Sequence, residues 1–421
     1  MGMHEHPLRR QVVGEMHLRR WPDFALPCLI VQWVRTVREE DRRAEVDAIS
    51  AEIQHSSSAA LPTHLTGQLS ADITIAWERH SEGSTLTVFM KIDHHRPFLQ
   101  PAVDPVIARA IGWAEQLPGE VIRATRILAM EREEKLETVV PLMAFSPAEL
   151  VSCHLKGHVR LWSDFRLQPD GYGRLLVASN GLDRWDFIRL VQRLQELGNY
   201  RNRALLGLPA AKEYWPLLDR AESQLQTLTD NVANGVETDD ALMGQLSALS
   251  LELMAVSTAV NYRMSATAAY AALVEERLVD LECSPIPGFS SLSDFTQRRF
   301  QPAVRTCAAF SDREKNLSIR VTQITSLLRA RIETRIENQN GHLLRSMEKS
   351  ASMQLRLQQL VEGLSVVALS YYIIGLTAYL LKGAEHIFPA LDAGLVIAAL
   401  VLPVATAMWG ALRLLKGRFL H

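Results

Sequence analysis

Few residues in this sequence have the type and spacing to do chemistry, and the best placed are a Glu and a His two positions apart. In WERHSE, the alternation of a strand puts Glu78 and His80 on one face and Trp77 and Arg79 on the other. A carboxylate beside an imidazole can act as an acid–base or metal-binding pair, and a solvated polar face on a half-buried sheet explains it equally well. Two other clusters carry metal-ligating atoms: Cys153 with His154 and His158, and Asp93 with His94 and His95. Each falls short of a complete ligand set, and neither has diagnostic zinc spacing. A third kind of candidate is a stripe. Gly363, Ser370 and Thr377 recur every seven residues and so share one helix face. Small, hydroxyl-bearing residues can line a pore or let two helices approach closely, and close packing is the favoured reading.

What is missing narrows the chemistry. There is no G-x-x-x-x-G-K-[ST], no G-x-G-x-x-G after a strand and no G-x-S-x-G, so nucleotide-binding and hydrolase mechanisms lack their usual residues. The sequence names no cofactor and no catalytic residue. A formal net charge of -2 offers no basic footprint for nucleic acid. The four cysteines, Cys28, Cys153, Cys283 and Cys307, lie far apart in the chain without a C-x-x-C pair, which fits a reducing compartment. The charged N-terminal stretch lacks the apolar centre of a signal peptide, so the bulk of the chain is expected in the cytoplasm.

The elements that must position these residues fall into three textures. The first is mixed α and β. ALPCLIVQWVRTV is a strand-length apolar run, DRRAEVDAISAEIQHS has helical period, and LSADITIAWERHSEGSTLTVFMKID reads as a hairpin around Ser81, Glu82 and Gly83. A second hairpin turns at Pro169, Asp170 and Gly171, and such hairpins favour a mixed or antiparallel sheet over a doubly wound one. After Gly181 the pattern becomes helical: Asp183 is placed to cap a helix reaching Leu206, further helices follow over 210–234 and 238–282, and SPIPGFSSLSDF breaks them. From 312 onward an apolar stripe at steps of three and four runs without proline into an uncharged stretch, so one helix over 312–381 is expected.

Two uncharged runs, 363–381 and 393–412, are each close to the roughly 20 residues that cross a bilayer. Arg345, Lys349 and Arg356 precede them and Arg413, Lys416 and Arg418 follow, whereas the connecting segment holds only Lys382. That asymmetry places both ends in the cytoplasm. The chain thus divides into an α/β domain (1–180), a helical domain (181–311), a stalk helix (312–362), a first span (363–381), a short external loop (382–392), a second span (393–412) and a basic tail (413–421). In fold class it is an α+β cytoplasmic domain followed by long helices and a two-helix transmembrane hairpin. The stalk stripe requires a partner, either the other helices or a second copy of the chain, and a homo-oligomer is expected.

The segments RRFQPAVRTC, LLRARIE, ENQNGHLLRSM and MQLRLQQLVEGLSVVALSYYIIGL resemble a bacterial family of uncharacterised, membrane-anchored proteins, named as a domain of unknown function. HPLRRQVVGEMHLRRW and WERHSEGST resemble its opening and hairpin motifs, so the likeness covers nearly the whole chain. It implies the bacterial inner membrane as the location and carries no activity. The order of parts is also similar to that of CorA-type magnesium channels, although the Gly-Met-Asn signature of those channels is replaced here by GLTAYLLKG. The expected function is an oligomeric scaffold or sensor anchored to the lipid bilayer and facing the cytoplasm. The alternative is a CorA-like channel for a divalent cation.

Overall fold

The computed structural model describes residues 5–9, 12–13, 20–53, 62–385 and 393–419, with side chains as far as 383 and again over 394–411. Half of the opening motif, most of the proposed external loop and the side chains of the basic tail lie outside the described residues. The chain divides into two units, Met1–Ile324 and Thr325–His421.

The first unit is organised around strand β1, Cys28–Thr36, whose residues are buried from Cys28 to Arg35. A strand buried on both faces needs apolar residues without alternation, and CLIVQWV supplies them. In chain order the other elements are α1 (Arg42–Glu52), β2 (His64–Ser70), β3 (Ile73–His80), β4 (Gly83–Lys91), α2 (Pro105–Glu115), β5 (Glu120–Met130), β6 (Val151–Leu155), β7 (Val159–Ser163) and β8 (Gly173–Ala178). The helices α3 (Arg184–Leu205), α4 (Gly207–Asn234) and α5 (Asp239–Asp280) follow, then β9 (Cys283–Pro285). The nine strands among the described residues join one sheet in the order β2-β3-β4-β1-β5-β8-β7-β6-β9. It is mixed: β5 and β8 pair parallel and every other pair is antiparallel.

Each face of the sheet has its own core. Leu29, Val31, Trp33, Ile75, Trp77 and Leu128 point to the side covered by Val46 and Ile49 of α1 and Ile107 and Ile111 of α2. Ile30, Phe89, Ile127, Leu175 and Val177 point to the other, covered by Phe187, Leu190, Leu194 and Leu197 of α3. Asp183 starts α3 by accepting from the backbone N–H of Trp185 at 3.0 Å and of Asp186 at 3.4 Å. Both α3 and α4 pack against α5, whose inner stripe is Leu242, Leu246, Leu249, Leu253, Val256 and Val260.

Two features differ from the sequence reading. The breaker after α5 begins with a strand, because Cys283–Pro285 pairs with β6 and closes that edge. The helix expected over 312–381 is α6, Gln301–Glu385, and it already begins at Gln301. Pro302 follows directly on the π turn Thr296–Phe300, where the regular i→i−4 ladder is already interrupted and a missing N–H is tolerated. The start signal lies further upstream: Ser291 and Asp294 form a reciprocal capping box for the short helix Leu292–Phe295, which leads through a π turn into α6. In the second unit α6 is followed by α7, Ala393–Phe419.

Candidate functional site

Glu78 and His80 are brought together as strand alternation requires. Glu78 Oε1 lies 4.0 Å from His80 Nδ1, and His80 Nε2 lies 2.9 Å from Thr85 Oγ1 on β4. They line a cleft of about 60 Å³ with Gln32, Glu196, Asn199, Tyr200 and Arg203. That is room for a few waters and well short of an organic substrate. Burial, reinforced by the charge of Glu78, pushes the Glu196 carboxyl above the ordinary range even though Arg277 holds it at 2.8 Å.

Glu196 shares this shift with Glu45, which α1 buries beneath the sheet. Trp77 Nε1 donates to Glu45 Oε1 at 3.1 Å and Ser84 Oγ donates to the same atom, yet desolvation outweighs both bonds and raises the Glu45 carboxyl. The sign follows from proton linkage. A folded state that holds its proton more tightly gains stability below the unfolded carboxylate value near 4.5 and loses it as pH rises through the raised folded value. Glu45→Gln is therefore expected to flatten the decline in stability as pH rises above the unfolded carboxylate value, measured by urea unfolding of both proteins across a pH series that starts below that value. Parallel curves for the two proteins would refute this assignment.

A larger cavity, of about 360 Å³, opens on the α3 side of the sheet within the first unit. Its walls come from β5 (Ile122 to Thr125), the start of β8, the loop after β7, one flank of α3, and Phe295, Arg299 and Phe300. Arg123 and Arg201 are both inside, and no Asp or Glu is among the lining residues. Arg123 Nη1 donates to two neutral oxygens, Asn199 Oδ1 at 2.7 Å and Gln32 Oε1 at 3.1 Å. Burial, and then the like charge of Arg201, pulls its guanidinium down to about 9. Arg201 lies over Phe165 and Phe295, 4.6 and 5.1 Å from their centroids, and burial lowers it to about 10. Its Nη1 and both polar atoms of the neighbouring Gln195 are buried without a partner.

Two backbone features support this cavity. Phe165 has φ of 50°, a left-handed conformation that costs a bulky residue about 1–2 kcal/mol. Gly198 leaves space for Arg123, since a Cβ there would stand 2.7 Å from Arg123 Nη2. At the outer part of the cavity the arginines are paired: Arg299 and Arg166 with Glu149, Arg174 with Asp170. Only the inner pair lacks carboxylates. Sequence reasoning passed over these residues, although one signal was present. Leu190, Leu194, Leu197, Arg201 and Ala204 continue a single helical stripe, and Arg201 is the charged member of an apolar series.

The remaining candidates separate. Cys153 and His154 are adjacent on β6, so they face opposite sides of the sheet; His154 Nε2 lies 3.6 Å from Glu133, and His158 is exposed beyond the strand. Cys153 instead meets Cys283 of β9, distant in sequence. A hydrogen bond from the Cys283 thiol lowers Cys153, while that bond and burial raise Cys283. Asp93 and His94 are exposed after β4. Among the described residues no three His, Cys, Asp or Glu side chains form a metal-sized cluster.

Three helical runs among the described residues are long and apolar enough to cross a membrane: Asp239–Asp280, Leu292–Gly383 and Gly394–Ala411. On the second, Gly363 is exposed, Thr377 is half-buried and bonded to the Ile373 carbonyl at 2.7 Å, and Ser370 is buried with its hydroxyl unpartnered.

A nine-stranded mixed sheet with an arginine-lined cavity, followed by long helices and apolar C-terminal segments, defines an α+β protein with candidate membrane helices. The chain belongs to the family described as a protein of unknown function (DUF3422), which matches residues 4–419. No curated protein and no solved structure matches it.

Proposed function

We propose that this is a membrane-anchored scaffold or sensor that self-associates, with its α+β body in the cytoplasm and 363–381 and 393–412 as a bilayer hairpin. One observation carries the reading. Leu364, Val367, Leu376, Leu380, Leu395 and Leu402 are 66–75% exposed, in apolar stretches of α6 and α7 that have almost no buried face. A water-soluble protein rarely leaves so large an apolar surface bare, and lipid chains would cover it. Helix α5 is different, because its stripe is already occupied by α3 and α4. The lysines and arginines flanking the two runs favour cytoplasmic ends.

Carbonate-washed membranes are expected to retain the full chain, and its release into the supernatant would refute the anchor. A divalent-cation channel is the second reading, favoured by the buried, unpartnered hydroxyl of Ser370. Reconstituted wild-type protein separates the two. An anchored scaffold passes no divalent ion into proteoliposomes, whereas measurable flux abolished by a Ser370 substitution favours the channel.

A further inference from the structure

We infer that the cavity between β5, β8 and α3 binds a small aromatic or similarly apolar carboxylic acid bearing a hydrogen-bond donor. Three observations each define part of that ligand. The first is charge. Two guanidiniums, half-buried Arg123 and buried Arg201, line a space without a single acidic residue, and Arg123 has only the neutral oxygens of Gln32 and Asn199. Folded proteins neutralise buried charge, so a site with two cations and no anion is complementary to an anion from outside.

The second is hydrogen bonding. Arg201 is held through its face by Phe165 and Phe295, which leaves its in-plane N–H groups to find an acceptor, and Nη1 has none. A planar carboxylate matches that fork. The Gln195 side chain is 1% exposed, and neither its amide nitrogen nor its oxygen has a partner. Its oxygen requires a donor, which a hydroxyl at the end of the ligand away from the acid supplies.

The third is shape and polarity. About 360 Å³ suits a molecule of one ring or a short chain, and Leu167, Leu194, Leu205 and Phe300 complete apolar walls. A hydrated inorganic anion would leave those walls in contact with water, whereas an aromatic body would cover them. The ligand therefore carries its charge at one end only.

The test uses the full-length chain in lipid nanodiscs, which avoids detergent entering an apolar cavity, and isothermal titration with benzoate, 4-hydroxybenzoate and 4-hydroxyphenylacetate. Saturable one-to-one binding by at least one of the hydroxylated acids is expected, tighter than benzoate. The neutral 4-hydroxybenzamide should bind at least about tenfold more weakly, the scale of a hydrogen bond to a charged group. Arg201→Met should remove binding while leaving the unliganded melting temperature equal or higher, because it deletes an uncompensated buried charge. Gln195→Leu, a second variant that keeps the volume, should weaken the hydroxylated acids and leave benzoate less affected. The inference is overturned if none of the three acids saturates, if the amide binds as tightly as the acid, or if inorganic phosphate competes equally. It is also overturned if Arg201→Met lowers the melting temperature and Gln195→Leu leaves affinity unchanged, the pattern of a purely structural pair.

Discussion

Truncation after Met347 is expected to transfer the protein completely from the membrane pellet to the soluble fraction. The cut removes both exposed apolar runs and keeps the unit Met1–Ile324, with the cores on both faces of its sheet. Each removed segment is close to the roughly 20 residues that hold a helix across a bilayer, so no surface of comparable affinity for lipid remains. The fragment should unfold cooperatively in urea, as a domain with its own core does. A cut at Asn180 should fail, because Ile30, Ile127, Leu175 and Val177 would lose the α3 side chains that cover them and β6 would lose β9. Persistence of the longer fragment in the pellet would place the membrane contact in the body and remove the case for an anchor.

Trp77→Ala is expected to take away most of the stability of the first unit. Trp77 is 1% exposed within the core under α1, and a Trp-to-Ala change at such a position costs about 3–5 kcal/mol. Its indole also donates to buried Glu45, so the variant leaves a raised, desolvated carboxyl with Ser84 as its remaining donor. The added loss is about 1–3 kcal/mol, against a total of about 5–15 kcal/mol for a folded domain. Trp77→Phe separates the contributions: it retains most of the volume, loses the donor and should fall between wild type and alanine in urea midpoint. A midpoint for Trp77→Phe as low as that of Trp77→Ala would show that the hydrogen bond, and not the packing, dominates.

Much of this architecture could be read from local pattern. The hairpin around Gly83 follows from alternation on both sides of a short turn, and the α3 start follows from Asp183 before a periodic stripe. Pairings between distant segments could not be read that way. Strand β9 has three residues, one of them proline, which is too short for any period to show. The β5–β8 pair is parallel and separated in sequence by β6 and β7, so no turn announces it. Glu78 and His80 were visible as a pair because they share one strand. Arg123, Phe165, Gln195, Arg201 and Phe295 come from four separate segments and meet only through the fold. The pairing of Cys153 with Cys283 is hidden for the same reason.

The position of β9 also sets a timetable for the growing chain. The sheet edge at β6 stays open from the time β8 is complete, at Ala178, until Cys283–Pro285 leaves the ribosome. At a synthesis rate of about 5–20 residues per second, that wait lasts on the order of 5–20 s, long compared with the microseconds in which hairpins form. During this interval the nascent protein presents an unpaired strand to its neighbours, the kind of edge that recruits chaperones or other chains. The edge is closed before residues 363–381 are made, so the body can finish folding before the first exposed apolar run is synthesised.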